Sequence, residues 1–109
     1  MTTIDVPKPI REFVDATNAG DSDRFVAAFT DDASLNDWGR EFHGHSGVRE
    51  WDSTDNIGKQ SKFEILEVTP GKHSDSYVVT IKVTGDGFNG TSPFAVTVRD
   101  GKIASLGIS

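Results

Sequence analysis

Ala33–Trp51, ASLNDWGREFHGHSGVREW, is the stretch on which the reading of the whole chain turns. It starts as a short alternating strand, reverses at Trp38–Gly39–Arg40, returns through Glu41–Phe42–His43, and enters a helix near Ser46 that carries Val48 and Trp51. A hairpin followed at once by a helix brings Asp37 and His43 to places where a small domain would otherwise put apolar residues.

Upstream, the pattern is helical. Pro7 and Pro9 suit a first helical turn, where a missing N–H costs nothing. Ile10, Phe13, Val14 and Thr17 then fall at i, i+3, i+4 and i+7 and make one apolar stripe. Asn18–Ala19–Gly20 supplies the stop, with Gly20 free to take positive φ. Asp21 or Ser22 caps a second helix, Asp23 adds negative charge at its positive end, Phe25, Ala28 and Phe29 form its buried side, and Thr30–Asp31–Asp32 ends it. Residues 1–6 read as a loose arm.

Downstream of the opening stretch, the third helix should run from Ser46 to Asn56 or Ile57 and stop at Gly58. Its stripe, Val48, Trp51, Asp52 and Asp55, is half acidic; either the helix is rolled so that the aspartates reach water, or it borders a polar cavity. Asp55 is assigned to solvent. From Lys62 the period becomes two. Phe63 and Ile65 fall out of phase with Leu66 and Val68, which predicts a bulge or burial on both faces. Tyr77, Val79, Ile81 and Val83 make a half-buried strand, as do Phe94, Val96 and Val98. Asp100–Gly101 is a two-residue hairpin signal, and Ile103–Ile108 closes the sheet. Pro70–Ser76 and Gly85–Ser92 are the long connections. Helices first and strands afterwards indicate α+β, with three helices on one face of a curved, mostly antiparallel sheet.

The length, 109 residues, predicts one domain. A net charge of −6 with no run of basic residues argues against a nucleic-acid groove or an anionic membrane surface. No apolar run reaches a membrane span, and the N-terminal stretch has no signal-peptide pattern. With no cysteine, disulfides, thiolate catalysis and cysteine-ligated zinc are excluded. The expected location is the cytoplasm.

Three stretches, IREFVDATNAGD from Ile10, FTDDASLND from Phe29 and FHGHSGVREW from Phe42, together with the order of elements, resemble the nuclear transport factor 2-like superfamily. Within it the chain looks most like the ketosteroid-isomerase and SnoaL-like polyketide-cyclase branch. The resemblance implies a cone-shaped, cystatin-like α+β fold enclosing an apolar pocket, a homodimer formed through the outer sheet face, an apolar small-molecule ligand and no cofactor. It places Asp37 where ketosteroid isomerases keep the carboxylate that moves a proton. The partnering oxyanion hole, a Tyr and a protonated Asp in that enzyme, has no counterpart: the Tyr position is Phe13, and no ionisable residue stands at Phe94, Ala95 or Val96. Steroid isomerisation is therefore not expected.

Read as a site, Asp37 alternates with Leu35 and should face the helices. A carboxylate in an apolar cavity suits general acid–base work, because desolvation raises its pKa. The competing reading is that Asp37 ends the strand and caps the Trp38–Gly39 turn. His43 is a candidate auxiliary to it. His43 and His45 could also share a metal with a carboxylate, although a structural histidine is the default and no metal site is assigned. Phe13, Trp38, Trp51, Asp52, Phe63 and Phe94 are the candidate ligand contacts, and Asp86–Gly90 reads as a hairpin loop serving as a flap. Two functions follow: an isomerase, cyclase or dehydratase using Asp37, or a non-catalytic ligand-binding or dimerisation module.

Overall fold

The computed structural model describes residues 6–109, so most of the arm expected over residues 1–6 lies outside the described residues. Helix α1, Lys8–Ala19, follows Pro7 and ends at Gly20, whose φ of +69° takes the left-handed conformation that only glycine adopts without strain. Its stripe is buried as the spacing predicts: Ile10, Phe13, Val14 and Thr17 are all at most 3% exposed. Asp21 accepts a hydrogen bond from Arg24 N at 3.1 Å and caps α2, Ser22–Ala27.

The second helix is shorter than expected. Thr30–Asp32 does not end it but belongs to strand β1, Phe29–Asp37. The reason is tertiary: Ile103 N donates to the carbonyl of Ala28 at 2.8 Å and draws the chain into the sheet. A two-residue turn at Trp38–Gly39, both at positive φ, joins β1 to β2, Arg40–His43. Helix α3 runs Gly44–Asp55, two residues earlier than expected at its start. A 3-10 turn, Ile57–Lys59, follows. Gly58 is required there by close approach and not as a helix stop, since a Cβ on it would lie 1.6 Å from the Ser53 carbonyl oxygen.

The remaining strands are β3 Lys62–Pro70, β4 Ser76–Thr84, β5 Gly90–Arg99 and β6 Lys102–Ile108. They form one six-stranded sheet in the order β2-β1-β6-β5-β4-β3. Only the β1–β6 pair is parallel; the others are antiparallel. The phase conflict in β3 is a bulge at Leu66, where the register slips between Ile65 and Glu67; Leu66 is left facing out at 44% exposure. Asp100–Gly101 makes the expected hairpin, both residues at positive φ.

Five phenylalanines and Trp51 fill the space between helices and sheet. Phe13 sits at the middle, its ring 5.3 Å from Phe25, 5.4 Å from Phe63, 6.0 Å from Phe29 and 6.1 Å from Phe94. Such offset and tilted pairs add about 0.5–1.5 kcal/mol each to the burial itself. Asn18 fastens this slab to the sheet edge: its amide donates to the Phe63 carbonyl at 2.9 Å and accepts from Phe63 N at 2.7 Å.

Candidate active site

Beyond the aromatic slab the helices and the sheet diverge and leave a cavity of about 270 Å³. Its walls are Trp51 from α3, Phe63 and Val83 from β3 and β4, Phe94 from β5 and Ile108 from β6. Gly87 and Phe88 of the loop between β4 and β5 close one side, and Trp38, 71% exposed, stands at the mouth. The Asp86–Gly90 loop thus borders the cavity through Gly87 and Phe88. Asp86 N donates to the Lys59 carbonyl at 2.8 Å, and Asn89 bridges Gly85 and Gly87, so the loop is tied down.

Asp37 lines this cavity at the end of β1. It stands in line with Leu35, and its side chain is 14% exposed. Its surroundings are not purely apolar. Trp51 Nε1 donates to Asp37 Oδ2 at 2.9 Å, and Arg40 Nη2 donates to the same oxygen at 2.6 Å. Oδ1 has no hydrogen-bond partner among the described residues. The acid is thus held by one oxygen and free at the other, rather than stranded among apolar groups.

Arg40 also donates from Nη2 to Asp55 Oδ1 at 3.0 Å, making an Asp37–Arg40–Asp55 clasp between the hairpin and α3. Hydrogen bonds to Asp55 and then to Asp37 raise the guanidinium above its ordinary value, so it stays charged. Burial pushes the Asp55 carboxyl up, but the hydrogen bonds from Arg40 and Thr54 outweigh it, and the carboxyl lies below its ordinary 3.8. Asp55 thus lines the cavity while its side chain stays 29% exposed, so the solvent assignment holds in part. Arg40 was not singled out by sequence, yet the signal was there: it is the residue facing Asp37 across a two-residue hairpin.

The family model for the SnoaL-like domain matches residues 10–106. The chain belongs to the SnoaL-like family. No curated protein matches it. Among solved structures it is similar to a candidate polyketide cyclase from Sinorhizobium meliloti, 28% identical over 95% of each chain with a TM-score of 0.85. It is also similar to the Δ5-3-ketosteroid isomerase from Mycobacterium sp., 16% identical over 93% of this chain and 88% of that one, TM-score 0.77. A Mycobacterium tuberculosis protein in complex with estradiol-17β-hemisuccinate is 16% identical over 95% and 93%, TM-score 0.80. The two distant likenesses show the fold, which is cystatin-like as expected.

Of the residues singled out by sequence in this SnoaL-like chain, Asp37, Trp38, Trp51, Phe63 and Phe94 meet at the cavity. Three do not. Phe13 is fully buried beneath the wall that Phe63 and Phe94 form, so it supports the cavity without lining it. Asp52, 1% exposed, turns inward to α1: its Oδ1 accepts from Asn56 Nδ2 at 3.2 Å, and that amide also donates to Thr17 Oγ1 at 3.0 Å. His43 pairs with Ser34 across the hairpin, and Asp37 pairs with Arg40. Facing residues share a sheet face and neighbours alternate, so His43 is exposed on the face opposite Asp37 and is no auxiliary to it. His45 Nε2 lies 2.9 Å from the Phe29 carbonyl oxygen, so that nitrogen carries a proton and the histidine is structural. Among the described residues no group of acids and histidines is placed to hold a metal. No helix among them is long and apolar enough to cross a membrane.

Proposed function

We propose that the chain is a cofactor-independent isomerase, cyclase or dehydratase in which Asp37 moves a proton on an apolar carbon acid. The observation that carries this reading is the asymmetric anchoring of Asp37, with Oδ2 fixed by Trp51 and Arg40 and Oδ1 unpartnered in the wall of a cavity it shares with Trp51, Phe63 and Phe94. A base whose geometry is fixed by its neighbours contributes typically ~10²–10⁴-fold. Oδ1 takes a proton from a carbon next to a carbonyl, the electron pair moves to the carbonyl oxygen, and the proton returns at another carbon.

The developing oxyanion needs a donor, and the tyrosine and second acid of the ketosteroid isomerases are missing. Arg40 engages only Nη2 in its hydrogen bonds. Its remaining N–H groups, beside the same carboxylate, are the electrophile in this reading. The apolar body of the substrate packs on Trp51, Phe63 and Phe94. A cavity of about 270 Å³ suits a small fused-ring skeleton. The similar protein bound to a steroid ester supports an apolar ligand.

The test is deuterium uptake by β-tetralone in D2O, followed by NMR. Wild type should accelerate exchange of the α-protons over buffer, and Asp37→Asn should lose about 10²-fold or more of that acceleration. Bound ketone with no accelerated exchange removes catalysis and leaves the second reading, a ligand-binding module. That reading is favoured by Phe13 in the tyrosine position and by the commitment of Arg40 to two carboxylates. A homodimer through the outer face of β4, around Val78, Thr80 and Lys82, belongs to the proposal, and sedimentation equilibrium checks it. So does a cytoplasmic location, which rests on the cysteine-free composition.

A further inference from the structure

One side chain closes the loop between β4 and β5. Asn89 Oδ1 accepts from Gly85 N at 3.1 Å, and Asn89 Nδ2 donates to the carbonyls of Gly85 at 2.8 Å and Gly87 at 3.2 Å. An amide suits these partners because its oxygen meets a donor while its nitrogen meets two acceptors. The turn it holds carries Gly87 and Phe88 against the cavity.

The next residue is constrained as well. Gly90 has a φ of +154°, and a Cβ on it would lie 3.0 Å from Cζ of the Phe88 ring. The backbone thus requires glycine at position 90 while the loop requires an amide at position 89. Together they make a labile dipeptide, since no Cβ shields the glycine nitrogen from the side-chain carbonyl carbon before it. Asn89 is exposed, and of the four asparagines in the chain, Asn18, Asn36, Asn56 and Asn89, it alone precedes glycine.

We propose that Asn89 is a self-modification site, which converts to aspartate and isoaspartate without an enzyme and so releases the Gly85–Gly87 turn. Water is the co-reactant. Gly90 N attacks Asn89 Cγ; the N–Cγ bond forms, the Cγ–Nδ2 bond breaks, and the Gly90 proton passes through solvent to the nitrogen that leaves as ammonia. Water then opens the cyclic imide at one of its two carbonyls. One opening gives aspartate, and the other gives isoaspartate, with the main chain routed through Cβ.

The product inverts the hydrogen bonding of the loop. A carboxylate only accepts, so oxygen replaces Nδ2 opposite the Gly85 and Gly87 carbonyls, and two attractions become repulsions. Isoaspartate also adds a methylene to the main chain and puts Gly90 out of step with Val83, its partner on β4. While the three hydrogen bonds hold, the amide is not free to turn to Gly90 N, so the reaction runs through local opening of the loop. None of this depends on what the cavity binds.

The experiment incubates the full chain at pH 8.5 and 37 °C and follows it by peptide mass and by isoaspartate-specific methylation. The peptide holding Asn89 should gain about one mass unit, NH2 becoming OH, and should become a methylation substrate. Peptides holding Asn18, Asn36 and Asn56 should stay unchanged. Asn89→Asp should lower Tm by about 4–8 °C, the shift for roughly one lost hydrogen bond in a domain of this size, and should speed hydrogen exchange at the Gly85 and Asp86 amides. Asn89→Ala, which removes the bonds without adding charge, should lower Tm by less.

An Asn89 peptide that changes no faster than the other three overturns the site. Conversion of wild type with Tm and exchange unaltered in Asn89→Asp overturns the release of the turn. If Asn89→Asp does not fold, incubated wild type decides: exchange at Gly85 and Asp86 should quicken in step with the mass gain, and constant exchange overturns the release.

Discussion

Trp51 Nε1 lies 2.9 Å from Asp37 Oδ2, while the indole ring stacks on Phe25 at 5.9 Å. One side chain thus joins the catalytic candidate to the aromatic slab. The stacking fixes the ring, the ring fixes the N–H, and the N–H fixes the carboxylate.

Replacing Trp51 with Phe keeps an aromatic ring against Phe25 and deletes the donor. The expected loss is about 1–3 kcal/mol of stability, from the hydrogen bond and the volume removed. Proton exchange on β-tetralone should fall more steeply than ketone affinity, because a loosened base costs rate before it costs binding. Denaturant unfolding and the NMR assay measure the two effects separately, and equal losses would show that Trp51 acts only as a wall.

The Arg40 clasp sets an acid dependence. The Asp55 carboxyl is lowered in the folded chain, so the unfolded chain binds protons more readily in acid. The stability it contributes is therefore full above its ordinary value and is lost as pH falls, which places the loss below about pH 4. Arg40→Gln should flatten the fall of Tm in that window without abolishing it. Asp32 remains lowered by its hydrogen bond with Arg99, and that pair is untouched. Thermal melts of both proteins between pH 2.5 and 6 check this, and an unchanged slope would remove Asp55 from the account.

Trp38 holds a φ of +53°, a conformation that costs a bulky residue on the order of 1 kcal/mol or more. It is also 71% exposed at the cavity mouth, so burial does not offset the strain. Trp38→Asn, which tolerates this φ, should raise stability by several tenths of a kcal/mol up to about 1 kcal/mol. The same change should weaken binding of aromatic probes by removing the outer wall. A variant that is stabilised and binds unchanged would show that the indole has no part in ligand capture.

Signals confined to a few neighbouring residues were read correctly. The Gly20 stop, the Asp21 cap, the Asp100–Gly101 turn and the out-of-phase pair that marks the Leu66 bulge each depend on φ, on a local hydrogen bond or on the side-chain period. The misreadings share a different cause. Thr30–Asp32 followed a helix by local pattern, but Ile103, more than seventy residues later, holds the Ala28 carbonyl and ends that helix early. Asn18 reads as part of a helix stop, yet its amide clamps Phe63 at the sheet edge.

The site divides in the same way. Sequence alone placed an acid at the end of an inward strand row and an aromatic set to surround it, because alternation and helical spacing are properties of the chain. Only tertiary structure decided that Arg40 turns to Asp37, that Asp55 completes the clasp and that Asn56 lines the cavity. It also sent His43 to the opposite face and Asp52 into the helix contact. These outcomes depend on hairpin register and on how α3 rolls against the sheet, which contacts between distant segments settle and no single segment encodes.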